Sequence, residues 1–117
     1  MKKIVTVEDA KRLLLEIQLK IRKNRLLFLK TRKNCRTLAK LGIMANRVGE
    51  IIDELEGIDY CSGPYPDEKY PWKSVSIFGT TFRGIDLYIK LSVGKGANAV
   101  VCLSFHEPEW PMTFKFK

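Results

Sequence analysis

Ile85-Asp86-Leu87-Tyr88-Ile89-Lys90-Leu91-Ser92-Val93 alternates apolar and polar residues without a break. A period of two puts Ile85, Leu87, Ile89, Leu91 and Val93 on one face of a β-strand. Asp86, Tyr88, Lys90 and Ser92 take the other. The first face needs an apolar cover, and the flanking segments supply it. Downstream, Gly94-Lys95-Gly96-Ala97-Asn98 has the composition of a hairpin turn. Ala99–Phe105 then reads as a buried strand and Thr113–Phe116 as a candidate last one. Upstream, Ser74–Phe78 reads as a strand and Gly79–Gly84 as the turn region after it.

Nearer the start the period becomes helical. Thr6 followed by Asp9 forms a capping box, and Ala10, Leu13, Leu14, Ile17 and Ile21 recur at helical spacing. Leu15 and Leu19 widen the apolar stripe, which predicts packing on more than one neighbour. Asn24 marks a break, and Leu26–Leu29 reads as a short strand. Asn34 is expected to cap a second helix running to Leu41, with Gly42 at its end. Asn46 is expected to cap a third, with Val48, Ile51, Ile52 and Leu55 on one face and Gly57 as its stop. Residues 58–73, rich in proline and tyrosine, read as a long loop. Helices first and a meander after predict an α+β fold, with N-terminal helices packed on one face of an antiparallel β-sheet. The expected layout is one domain over residues 1–117, mainly helical over 1–57 and antiparallel sheet over 74–117.

A chain of 117 residues buries about two thirds of its unfolded surface, so it needs no staple. Its 21 basic against 13 acidic residues leave a net charge of +8. Nine of the basic residues and no acid fall between Lys20 and Lys40. Such a window attracts a polyanion: nucleic acid, an acidic protein or an anionic membrane. The bland reading is a solvated basic face that aids solubility.

Cys35, Cys61 and Cys102 are odd in number and lack C-x-x-C spacing, which suits reduced thiols in a cytoplasm. The lone histidine, His106, excludes H-E-x-x-H and C2H2 zinc sites. Gly94-Lys95-Gly96 lacks Walker spacing. No metal and no cofactor are expected. Met-Lys-Lys opens like a signal sequence, but Glu8-Asp9 ends the apolar run after Ile4–Val7. No apolar stretch approaches the roughly 18 residues of a membrane span. A cytoplasmic protein without a membrane partner is the expectation.

On the strand after the central one, Val100, Cys102, Ser104 and His106 share one parity. Ala99, Val101, Leu103 and Phe105 share the other, which looks more core-like. Antiparallel pairing in the expected register then gathers His106, Ser104, Tyr88 and Lys90 on one open face; a one-residue slip would undo this. Such a group suits metal-free RNA cleavage, which needs a base for the 2′-OH, an acid for the leaving 5′ oxygen and cations for the phosphoryl charge. Histidine is the side chain that titrates near neutrality. Tyr88 can donate a proton or orient the phosphate, while Lys90, Lys73 and Arg83 supply positive charge. Tyr65, Tyr70 and Trp72 can stack on unpaired bases. Arg22, Lys23, Arg25, Arg32, Lys33 and Arg36 of the basic window can hold the RNA backbone. Each has a structural alternative: a hydrogen-bonded surface histidine, an ordinary solvent face, a serine that supports its strand.

These residues also carry a family resemblance. Leu41-Gly42-Ile43, Asp59-Tyr60 with Gly63-Pro64 and Asp67, Leu87-Tyr88-Ile89-Lys90-Leu91, and Leu103-Ser104-Phe105-His106 together resemble the MqsR-type toxins of bacterial toxin–antitoxin systems. Those belong to the wider RelE-like group of small basic ribonucleases. The resemblance runs from about Leu38 to Phe105. It implies a RelE-like fold with a curved antiparallel sheet, metal-independent cleavage of mRNA, and a cognate antitoxin as partner. The family's Tyr-x-Lys strand matches Tyr88 and Lys90, and its tyrosine is the one implicated in catalysis. His106 stands where the family pattern has a lysine after Ser-Phe. Cys61-Ser62-Gly63 follows Asp59-Tyr60 where the pattern has a catalytic lysine, and the glutamine of the next strand has no equivalent near Ser76–Phe78.

The leading expectation is therefore a toxin-type endoribonuclease, an mRNA interferase with His106, Tyr88, Lys90 and Arg83 as catalytic residues. The rivals are a non-catalytic nucleic-acid-binding module and a basic protein-interaction domain. Neither predicts that RNA integrity depends on His106.

Overall fold

Thr6 starts the first helix by the box its sequence promises. In this computed structural model, which describes residues 3–96 and 98–117, Thr6 Oγ1 accepts from Asp9 N at 3.2 Å. Asp9 Oδ2 accepts in return from Thr6 N at 2.9 Å and Val5 N at 3.0 Å. Met1, Lys2 and Ala97 lie outside the described residues, and with them most of the Met-Lys-Lys opening and one position of the 94–98 turn. Helix α1 spans Val7–Lys23 and buries Ala10, Leu14 and Ile17. Leu13 and Ile21 pack at the margin of that face. The helix packs on more than one neighbour as expected, against the segments Gly57–Asp59, Val48–Asp53 and Val100–His106, although Leu15 and Leu19 themselves stay half exposed. Asn24 caps the helix end. Lys20 Nζ donates to Gly94 O and Gly96 O, tying α1 to a distant turn.

The sheet comprises β1 (Leu26–Phe28), β2 (Tyr60–Pro66), β3 (Ser74–Phe82), β4 (Ile85–Val93) and β5 (Val100–His106), in the order β1-β5-β4-β3-β2. The antiparallel expectation holds for β2 to β5, but β1 runs parallel to β5. The fold is thus α+β with a mixed sheet; alternation of side chains carries no information about strand direction, which is why the sequence did not show this. β2 replaces the first half of the expected loop. It is an edge strand, where Pro64 and Pro66 are tolerated, and its shifts of register erase the period-two pattern. β3 runs on to Phe82, so the turn shrinks from Gly79–Gly84 to Arg83-Gly84. Their φ values of 52° and 78° are what a two-residue I′ hairpin requires. Thr113–Phe116 is not a strand. That segment belongs to a tail that crosses Gly79, where an added Cβ would stand 2.6 Å from Met112 Sδ and 2.9 Å from Phe114 Cζ.

Helix α2 spans Arg32–Leu41, capped by Thr31 rather than by Asn34. Asn34 is fully buried instead. Its Nδ2 donates to Leu29 O at 2.8 Å and Leu103 O at 3.0 Å, and its Oδ1 accepts from Phe105 N at 2.8 Å. Where β1 ends, this amide takes the place of the next rung on β5. Gly42 closes α2 in the left-handed region, at φ 68°. The third helix is shorter than expected: a 3-10 turn, Ala45–Arg47, leads into α3, Val48–Asp53. Asn46 therefore caps nothing, and Gly57 opens a further 3-10 turn, Gly57–Asp59.

The core lies between α1 and α3 on one side and Phe78, Leu87, Ile89, Leu91, Val100, Cys102 and Phe105 on the other. No helix among the described residues is long and apolar enough to cross a membrane.

Two outcomes follow for stability. Asn34→Ala strands Leu103 O and Phe105 N, while Leu29 O keeps its bond from Thr31 N at 3.0 Å. The change costs about 2 kcal/mol or more, because each orphaned buried group carries about 1–3 kcal/mol; the shift of the urea midpoint measures it. The two amides that donate to Asp9, with the guanidinium of Arg12, hold its carboxyl well below the usual range. A depressed native pKa gives stability that is complete above about pH 4 and fades as pH falls further. Asp9→Ala should lower the Tm at neutral pH and lose that part of the acid limb, read from Tm between pH 7 and pH 2.

Candidate functional site

The helices leave the opposite face of the sheet open. On that face, Tyr88 pairs with His106 and Lys90 with Ser104 across β4 and β5. The expected gathering of His106, Ser104, Tyr88 and Lys90 is therefore present, but by another route. Between Ser104 and Cys102 the ladder slips by one residue, and Leu103 is the one left over. Upstream of this bulge Val100 and Cys102 face the core, where Ala99, Val101 and Leu103 were expected. Downstream of it Phe105 is buried as expected. Parity read through the whole strand thus fails at 99–103 and holds at 104–106.

The open face floors a groove of about 980 Å³. Ser62, Ile77, Tyr88, Lys90, Ser104 and His106 line the floor. The first turn of α2, with Thr31, Arg32 and Lys33, forms one wall. The tail from Pro108 to Lys115 forms the other. That tail is pinned along its length: Glu107 pairs with Lys40 at 2.6 Å, Glu109 pairs with Lys33, and Lys117 lies 3.7 Å from Asp59. Phe116 packs on Tyr60 with ring centroids 5.8 Å apart.

Tyr88 and His106 stack, with centroids 5.4 Å apart and planes 24° from parallel. His106 Nδ1 lies 2.8 Å from the carbonyl of Glu107. A carbonyl only accepts, so Nδ1 carries the proton and Nε2 is the basic nitrogen. Burial pushes the Tyr88 phenol above its ordinary value, and the negative charge of Glu109, joined at high pH by that of Cys61 and Tyr65, adds to the effect. Tyr88 is thus a proton-bearing donor at neutral pH. Lys33 holds the Glu109 carboxyl below its usual range by a hydrogen bond and by charge. Lys90 and Arg32 make no ion pair among the described residues. The groove therefore holds an imidazole base, a phenol donor and unpaired cations within one patch. That set can take a proton from a hydroxyl, give one to a leaving oxygen and bind a phosphoryl anion.

Other expected residues lie elsewhere. Arg83 sits on the β3–β4 turn and donates from Nη1 to Leu41 O at 2.8 Å, closing the end of α2 rather than lining the groove. Tyr70 and Trp72 contact each other at 5.3 Å on the β2–β3 loop, with Lys73 over the Tyr70 ring at 4.9 Å. Those three residues and Tyr65 do not line the groove. Arg22 is bound to Asp53 at 2.6 Å. Lys23, Arg25 and Arg36 are exposed outside the groove, so of the basic window Arg32 and Lys33 line it. The sequence reading missed Glu109 and Trp110. Pro108 and Pro111 flanking an acid and an aromatic were the available sign that 108–111 is a shaped loop.

No protein-family model, curated protein or solved structure matches this chain. Among the described residues no group of three His, Cys, Asp or Glu side chains is placed to hold a metal ion.

The thiols divide by burial. Burial pushes Cys102 up to about 12 and Cys61 up to about 11, whereas Cys35 is exposed. A thiolate is the reactive form, so the two shifted thiols are poor nucleophiles. Native protein at pH 8 should consume one equivalent of a thiol-specific disulfide reagent quickly, and Cys35→Ser should abolish that fast phase. A second fast thiol would contradict the burial described here.

Proposed function

We propose that this chain is a metal-independent endoribonuclease of the toxin type, cutting single-stranded mRNA and held in check by a cognate antitoxin. The observation that carries the reading is the stacked Tyr88–His106 pair beside Lys90 on an open sheet face. Helices on one face with the other face free for RNA suit the RelE-like arrangement that the resemblance implies. Three free thiols suit a reducing compartment such as the cytoplasm.

In this reading His106 Nε2 takes the proton of a ribose 2′-OH, and the 2′ oxygen attacks the adjacent phosphorus. The P–O5′ bond breaks, and Tyr88 gives its proton to the departing oxygen. The products are a 2′,3′-cyclic phosphate and a 5′-hydroxyl end. Lys90 and Arg32 neutralise the charge that gathers on the phosphoryl oxygens. Arg83 has no part in this step, because its guanidinium is spent on the end of α2. Such groups contribute about 10²–10⁴-fold each to proton transfer.

Purified protein should therefore cut single-stranded RNA in EDTA, leaving cyclic-phosphate ends. His106→Ala and Tyr88→Phe should each slow cleavage about 10²-fold or more, while Arg83→Lys leaves it unchanged. Intact RNA with wild-type protein, alone and in a translation extract, would sink the proposal. Salt-sensitive binding in that case would favour a non-catalytic nucleic-acid module, and absence of binding would favour a basic protein-interaction domain.

A further inference from the structure

Trp110 is 81% exposed, the most exposed large apolar side chain among the described residues. Its surroundings are fixed. Pro108 and Pro111 restrict the backbone on either side, and the residue before a proline is held extended. Glu107 and Glu109 are bound to Lys40 and Lys33 on α2. Past Trp110, Met112 and Phe114 lie against Gly79 of β3, and Phe116 against Tyr60. A tail anchored before and after its exposed indole loses little further backbone freedom when the ring binds something.

Trp110 also lines the groove that contains Tyr88, His106 and Lys90. Cations and a free aromatic face in one groove are the two parts of a single-strand nucleic-acid site. The cations follow the phosphates, and the ring stacks on a base whatever its identity. A duplex does not offer an internal base face, so such a platform selects unpaired nucleotides. The Tyr70–Trp72 pair differs, since its rings contact each other outside the groove.

We infer that Trp110 is the stacking platform for an unpaired base next to the phosphate at Tyr88 and His106, and so a positioning residue that restricts the substrate to single strands. The inference rests on the ribonuclease reading for what happens to that phosphate, but not for the stacking itself.

The test separates the two. In a Trp72→Phe background Trp110 is the one tryptophan left. A single-stranded 2′-O-methyl RNA oligomer, which lacks the attacking hydroxyl, should quench its fluorescence on binding. By anisotropy, Trp110→Ala should weaken binding of the oligomer about tenfold or more, the size of one base stack, with Trp110→Phe restoring most of it. On cleavable RNA, Trp110→Ala should raise KM and leave kcat nearly unchanged. An oligomer that binds equally to Trp110→Ala, without quenching, overturns the inference and leaves the ribonuclease reading intact. Quenching and weakened binding without cleavage by wild type support the platform and overturn the ribonuclease reading. No binding of the oligomer overturns both.

Discussion

The carboxamide of Asn34 joins three backbone groups: Leu103 O and Phe105 N on β5, and Leu29 O, which also accepts from Thr31 N. β1 is only three residues long and ends opposite Cys102. Beyond that point the outer edge of β5 still carries Leu103 O and Phe105 N, inside the protein. Asn34 supplies a donor to one and an acceptor to the other, and its second donor hydrogen goes to Leu29 O. A buried unpaired amide or carbonyl costs about 1–3 kcal/mol, so this side chain is a condition for ending β1 where it ends. It also fixes α2 against β5, since Asn34 belongs to the first turn of that helix.

The same contact holds the bulge that shapes the open face. Leu103 is the residue without a partner on β4, and its carbonyl is the one Asn34 receives. The Cys102 thiol donates to Ser104 O at 3.4 Å across the same irregularity. The extra residue lets Cys102 and Phe105 both face the core while Ser104 and His106 face Lys90 and Tyr88. Without it, a core reading of Val100 and Cys102 would carry Ser104 and His106 inward as well, and the groove would lose its imidazole. The open face therefore depends on a buried amide that bonds to none of the side chains gathered there.

Charge is arranged with similar economy. Of the basic residues between Lys20 and Lys40, four are engaged within the fold: Lys20 by turn carbonyls, Arg22 by Asp53, Lys33 by Glu109 and Lys40 by Glu107. Two of those pairs anchor the tail that walls the groove. Exposed pairs of this kind add little to stability one by one, but several along one segment hold it in place. The excess of positive charge is thus partly scaffold. What faces the groove is a smaller set, Arg32, Lys33, Lys90 and Lys115, offset by Glu109.

Elements whose signal is local can be read without the fold. The Thr6–Asp9 box, the stripe of Ala10, Leu14 and Ile17, and the alternation from Ile85 to Val93 follow from covalent chemistry and from periods of 3.6 and 2. The class of the fold was legible for that reason; the gathering of Tyr88 and Lys90 with Ser104 and His106 was expected too, but it rests on the bulge at Leu103, which no period shows. Whatever depends on a distant partner was set by packing. Asn34 looks like a cap in sequence because short polar side chains favour helix starts, yet its partners lie as far away as Leu103 and Phe105. β2 was hidden because an edge strand tolerates Pro64 and Pro66. Arg83 turned to α2, and the tail brought Glu109 and Trp110 to the groove, through contacts that no local period encodes. Direction of strands, position of bulges and the path of an irregular tail are set by which backbone groups remain unpaired after packing, and that is known only once the chain has folded.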